Sequence, residues 1–183
     1  MEEELLKYIR TNCYKEGDYT LSSGEKSKHY VNCKPVTLSG QGLYYCATLI
    51  LDHIDKDISA VAGLTLGADP LVSAVAMHSY QTWRPLDALI IRKTPKGHGT
   101  QSQVEGPLPP KGAKVTVLED VTTTGASALL AVDVCRELGY IVDRVVTIVD
   151  RQQSDHWSDH DLELKSLFTL DDIKSRDQAH VRS

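Results

Sequence analysis

Apolar positions along this chain switch between a helical spacing and short unbroken runs. Leu5, Leu6 and Ile9 recur at helical intervals within residues 2–12, and Gly17 is expected to end that unit. Residues 19–21 and 29–33 read as short strands around a turn at Ser22, Ser23 and Gly24. Helical patterns follow at 40–54, 68–80 and 125–138, the last ended by Gly139. Between them lie four buried-type runs: SAVAGL at 59–64, LDALII at 86–91, VTVL at 115–118 and VDRVVTIV at 142–149. Apolar strands alternating with helices predict an α/β fold, a mainly parallel central sheet flanked by helices on both faces.

In such folds ligands bind beyond the carboxyl ends of the strands. Three segments fall there: residues 119–127, 92–106 and 150 onward. They are expected to converge on one site. The stretch 93–111 is polar and rich in Gly and Pro, and long for a plain connector; such loops are lids or disordered segments.

Composition narrows the class. The 183 residues fit a single domain spanning 1–183, and 41% hydrophobic with 25% charged residues is ordinary for a soluble protein. A net charge of −5 and a pI near 5.8 argue against a nucleic-acid partner, though not against a local anion site. No apolar run is long enough to predict a membrane span. The start, MEEELLKYIR, is acidic and amphipathic, unlike a signal peptide. Cys13, Cys33, Cys46 and Cys135 form no CxxC pair and read as scattered core thiols within regular structure, with the cytoplasm as the expected location.

The chemistry concentrates in VTVLEDVTTTGAS, residues 115–127. A strand leads into Glu119 and Asp120; then Val121, Thr122, Thr123, Thr124, Gly125, Ala126 and Ser127 open a helix. Free N–H groups and hydroxyls at a helix start attract an anion, and the helix dipole adds to the attraction. Gly125 lets the backbone approach a phosphate, and the acids suit ribose hydroxyls or a Mg²⁺ that coordinates them. No Lys follows the glycine, so this is not a Walker A loop. A Thr-rich cap on an ordinary turn is the plain alternative for the Thr/Gly part.

RKTPKGHG, residues 92–99, gathers Arg92, Lys93, Lys96 and His98 immediately after a strand. Charge runs are usually solvated faces, but this one leaves the same sheet as the phosphate loop. Asp150-Arg151-Gln152 follows the fourth run; Arg151 is either a surface ion pair or a two-pronged donor to a planar anion. His156 and His160 in SDHWSDHD have the spacing of a metal pair, with a solvated loop as the simpler reading.

The acid pair followed by TTTGAS resembles the phosphoribosyl pyrophosphate (PRPP) signature of type I phosphoribosyltransferases. Arg-Lys-x-x-Lys-x-His-Gly resembles the catalytic loop of the orotate phosphoribosyltransferases in particular. YTLSSGEKSKHYVN at 19–32, Asp150-Arg151-Gln152 and SLFTLDD at 166–172 resemble further segments of that family, so the likeness spans about residues 5–173. It implies a small hood over the base site, built from about 1–35 and 150–173. It implies PRPP contacts from Arg92, Lys93, Lys96, His98 and residues 119–127, and orotate contacts from Thr123 and Arg151. Lys96, His98, Glu119 and Asp120 become the expected catalytic residues. Mg²⁺ is the implied cofactor, held chiefly through PRPP with Glu119 and Asp120 as candidate protein ligands. A homodimer is implied too, with loop 93–106 reaching into the neighbouring subunit.

The chain departs from the family pattern in three places. GLTLGAD at 63–69 lacks the lysine that many members carry there. Gln153, Ser154 and Asp155 replace a Glu-Gly-Gly. Ser22 stands where some members have Lys. A phosphoribosyltransferase for another base and a PRPP-sensing regulatory protein are the competing readings; the His-Gly loop, Arg151 and the acidic pI weigh against them.

Overall fold

A computed structural model describes residues 1–20, 24, 26–95, 103–152 and 156–175. The chain opens with α1 (Glu2–Asn12), then β1 (Tyr14–Thr20) and β2 (Lys26–Val31), which pair antiparallel as a separate two-stranded sheet. A short helix, α2 (Lys34–Thr37), precedes α3 (Gly40–Leu51), which Ser39 caps by accepting the Gly42 N–H at 3.0 Å. Then come β3 (Ile58–Leu64), α4 (Asp69–Gln81), β4 (Asp87–Ile91), β5 (Val104–Glu105), β6 (Lys114–Thr122), α5 (Ala126–Glu137), β7 (Arg144–Asp150), a 3₁₀ turn at His156–His160, β8 (Glu163–Thr169) and α6 (Leu170–Lys174).

The main sheet has six strands in the order β5-β4-β3-β6-β7-β8. Every neighbouring pair is parallel except β4 with the two-residue β5. The period-two alternation of strands divides the apolar residues between two cores. Val61, Leu118, Val146 and Ile148 join α1, α3 and α4 on one face. Ala60, Ala62, Val115, Val117 and Val145 meet Ala128, Ala131, Val132 and Cys135 of α5 on the other. Because both faces are covered, the central strands carry apolar residues almost without a break, and this made them legible as runs.

The differences from expectation are local. α1 stops at Asn12, and Gly17 lies inside β1 rather than ending the helix. The strand read at 115–118 extends to Thr122, so Glu119 and Asp120 belong to β6 and keep its alternation. β5 interrupts the stretch taken as a plain loop. Cys13 and Cys33 occupy helix caps rather than element interiors. All four thiols are free and buried, and burial pushes Cys46 and Cys135 up to about 12. Lys96, His98 and the rest of 96–102, with Ser22 and residues 153–155, lie outside the described residues.

Candidate active site

The carboxyl ends of β3, β6 and β7 open into a cavity of about 560 Å³. Lys93, Glu119, Asp120, Thr123, Ser127 and Arg151 all line it, so the three segments singled out in the sequence do meet. A second cavity of about 280 Å³ adjoins it, lined by Glu119 and by residues 121–128. The first can receive a planar base and a sugar, the second a phosphate.

The second cavity is built by the turn from β6 to α5. Gly125 occupies the N-cap with φ 76° and ψ −3°, in the left-handed region that a side chain disfavours. No side chain caps α5, so its first N–H groups remain for an anion. Thr123 and Ser127 border both cavities. Thr122 is buried and turned away: its hydroxyl donates to Asp150 Oδ1 at 3.3 Å. The same Asp150 oxygen accepts the Gln152 N–H at 2.8 Å, and the Arg151 N–H donates to the Thr122 carbonyl at 3.0 Å. Thr122 therefore clasps the phosphate turn to the end of β7 that carries Arg151.

Glu119 is only 6% exposed. One carboxylate oxygen accepts the Asp120 N–H at 3.2 Å; the other, Oε2, is buried with no hydrogen-bond partner among the described residues. Burial, reinforced by the neighbouring Asp120 charge, holds this carboxyl well above its usual range, and Lys34 pulls the other way. Asp120 is half-buried, and its Oδ1 accepts the Val121 N–H at 2.9 Å. An orphaned carboxylate oxygen beside a second carboxylate fits a hard cation or a pair of hydroxyls.

The turn after β3 completes the floor. It passes through a cis peptide between Thr65 and Leu66, and the Thr65 hydroxyl donates to Asp69 at 2.8 Å. Gly67 abuts Asp120: a Cβ there would come 2.8 Å from Oδ1. Any larger residue would displace the acid.

Arg151 is 5% exposed. Its Nη2 donates to Ser27 Oγ at 2.9 Å and to the His29 carbonyl at 3.2 Å, both on β2. Tyr14 and His29 bond at 2.8 Å across β1 and β2. The arginine thus both faces the cavity and ties the two-stranded sheet to the main sheet. Arg92 is placed differently: it follows β4 directly, its Nε bonds Glu105 at 2.9 Å, and it does not line the cavity. Its backbone N–H donates to the Gln103 carbonyl, which closes the base of loop 93–103. Thr124 and Ala126 are exposed on the rim of the phosphate turn, and Val121 borders both cavities.

His156 and His160 stand edge to face on the 3₁₀ turn, ring centroids 5.6 Å apart; among the described residues no third ligand-type side chain joins them. Trp157 between them is buried against Gly125. Sequence reasoning missed Trp157 and Lys34 as parts of this region, whereas Tyr30 and the turn at 65–67 fall within the segments 19–32 and 63–69 compared with the family above. Neither missed residue had a signal, since each sits in an element too short to show a period.

No family model matches the chain. It is 50% identical over 177 residues to the orotate phosphoribosyltransferase of Thermosynechococcus vestitus, covering 96% of this chain and 94% of that protein. The fold superposes on the crystal structure of Mycobacterium tuberculosis H37Rv orotate phosphoribosyltransferase in complex with Fe(III) dicitrate. The TM-score is 0.81 at 36% identity, over 95% of this chain and 99% of that one. For the same M. tuberculosis enzyme in complex with 5-phospho-α-D-ribosyl 1-diphosphate the TM-score is 0.76 at 33% identity, over 94% and 98% of the two chains.

Proposed function

This chain belongs to the orotate phosphoribosyltransferase family, and we propose on that footing that it joins orotate to the 5-phosphoribosyl group of PRPP, releasing pyrophosphate, in pyrimidine (UMP) synthesis. The observation that carries the reading is the meeting of Gly125's helix start, the Glu119–Asp120 pair and Arg151 around two adjoining cavities that share Glu119, Thr123 and Ser127.

The 5-phosphate sits on the N–H groups at the start of α5 and on the hydroxyls of Thr123, Thr124 and Ser127. Glu119 and Asp120 lie under the ribose and hold its hydroxyls while positive character grows at C1. Arg151 and Thr123 orient orotate, whose N1 forms the new bond to C1 as the bond from C1 to the pyrophosphate oxygen breaks, the N1 proton passing to the departing pyrophosphate. Lys93, Lys96 and His98 stabilise the negative charge gathering on the departing pyrophosphate, while Arg92, held by Glu105, closes the base of their loop. Bound Mg²⁺ would add positive charge on the same oxygens, and Glu119 and Asp120 are the residues fitted to hold it. Closure of loop 93–106 excludes water, which would otherwise hydrolyse PRPP.

The active form in this reading is a homodimer in which that loop serves the neighbouring subunit. Exposed Tyr44 on α3, Met77 and Tyr80 on α4 and Trp83 beyond it supply apolar surface for a second copy. The four buried free thiols suit a reducing, cytoplasmic setting. No helix among the described residues is long and apolar enough to cross a membrane.

A pyrophosphate-release assay with orotate, uracil, hypoxanthine and no base tests the activity. Release with orotate alone is the expected result. Equal release with hypoxanthine would favour a transferase for another base, and none with any base would favour a PRPP-sensing protein.

A further inference from the structure

The cavity is lined by a cation that none of the sequence motifs contains. Lys34 borders it together with Glu119, Asp120 and residues 65–67. Its ammonium is near enough to the buried Glu119 carboxyl to act on it electrostatically. The backbone beneath it is fixed. Cys33, fully buried, caps α2; the Lys34 N–H donates to Asn32 Oδ1 at 3.1 Å, and the Lys34 carbonyl accepts the Leu38 N–H at 3.0 Å. Pro35 stiffens the first turn, and the Tyr8 hydroxyl donates to its carbonyl at 3.3 Å. The side chain itself is exposed and makes no ion pair or side-chain hydrogen bond among the described residues.

The surroundings define what this charge is for. The turn at 65–67 is Thr-Leu-Gly, offering an anion backbone groups but no positive charge, and its one hydroxyl, on Thr65, already donates to Asp69. Gly67 lies against Asp120. An anion entering between that turn and the two acids would be repelled unless a cation stood beside it. Arg92 is held by Glu105, and Arg151 is engaged with Ser27 and His29 in the hood. Lys34 is placed to supply the missing charge from the α2 side while Lys93 approaches from the end of β4.

We propose that Lys34 binds the pyrophosphate moiety of PRPP and retains it as the leaving group, a role that rests on the transferase reading above. A flexible ammonium fits that role, since it contributes charge to whichever oxygen gains it, without the fixed fork of an arginine.

The experiment is calorimetric titration of pyrophosphate, PRPP, orotate and orotidine 5′-phosphate, in Mg²⁺ buffer, into wild type, Lys34→Met and Lys34→Arg. The nucleotide product carries every part of the bound substrates except the pyrophosphate, which takes the C1 oxygen with it, and the N1 proton of orotate. Lys34→Met keeps the aliphatic stem and should weaken pyrophosphate and PRPP each by about tenfold, the scale of one charge-assisted hydrogen bond. Orotate and orotidine 5′-phosphate should bind as before, and Lys34→Arg should recover most of the loss. A parallel loss for the nucleotide would overturn the assignment, as would unchanged pyrophosphate binding. Should Lys34→Met not fold, Lys34→Gln replaces it, with thermal midpoints confirming the native state. Wild type that binds pyrophosphate through Lys34 yet makes no nucleotide would sink the transferase reading and leave the Lys34 site standing.

Discussion

Trp157 closes over Gly125: a Cβ on that glycine would lie 2.7 Å from Cη2 of the indole and 2.8 Å from Cζ2. Gly125 also has φ 76°, so two separate constraints demand glycine at the start of the phosphate turn. The 3₁₀ turn that follows Arg151 thus supplies the packing surface for the loop expected to hold PRPP.

Gly125→Ala should accordingly raise KM for PRPP more than KM for orotate. The left-handed conformation alone costs about 1–2 kcal/mol with a Cβ present, and the contact with Trp157 adds to it. Combining Gly125→Ala with Trp157→Ala removes the clash but not the backbone cost. The double variant should therefore recover PRPP affinity only in part relative to Gly125→Ala. Trp157→Ala by itself should lower stability by about 3–5 kcal/mol, as truncation of a buried aromatic does. Thermal denaturation and steady-state kinetics check each arm; equal shifts in both KM values would detach Trp157 from the phosphate turn.

Lys96→Ala should reduce kcat by an amount equivalent to about 2.7–4 kcal/mol of lost transition-state stabilisation, with folding intact. If loop 93–106 serves the neighbouring subunit, mixing Lys96→Ala chains with Asp120→Asn chains should restore activity, because a hybrid dimer holds one intact site. Mixed and reannealed dimers as inactive as their parents would place the loop in its own subunit.

Arg151→Ala removes a donor worth about 1.5–3 kcal/mol per charge-assisted bond to the orotate carboxylate. It also cuts the tie from β7 to the hood through Ser27 and His29. KM for orotate should rise sharply, and the preference for orotate over uracil should narrow. Ser27→Ala loosens the tie while leaving the arginine, so it should raise KM for orotate less and keep the preference. The kcat/KM ratio for the two bases measures this, and an unchanged ratio in Arg151→Ala would remove Arg151 from base selection.

Asp172 gives a pH-dependent test of the cap that starts α6. Its carboxylate accepts from the Thr169 hydroxyl and the Thr169 N–H, each at 2.7 Å, closing a capping box at α6. These bonds hold its carboxyl below the ordinary carboxylate range. A depressed folded-state value means that the contribution is fully present above the unfolded value, about 3.9, and is lost as pH falls through the folded one. Thr169→Ala should cost about 1 kcal/mol at neutral pH, reduced by the site's exposure. The stability gap between wild type and Asp172→Asn should close as pH drops below that range; urea unfolding followed from neutral to strongly acidic pH would reveal a constant gap if the carboxylate were irrelevant.

Much of the fold was readable along the chain because the signals were contiguous. The central strands of the main sheet are covered on both faces, so each is a nearly unbroken apolar run; helices between them carry the longer period. The acids, the threonines and Gly125 fall within nine consecutive residues, 119–127, and their order along the backbone is itself the site. Tertiary structure alone decided the rest. Arg151 meets Ser27 from 124 positions away. Trp157 finds Gly125 across a 3₁₀ turn that reads as a polar loop, and Lys34 enters the cavity from a four-residue helix too short to have a period. Burial of Glu119 depends on neighbours from several elements, whereas the sequence states only that it is an acid beside an acid. Contacts between distant segments leave no periodic trace in either partner, because periodicity records which face of an element is covered and not what covers it.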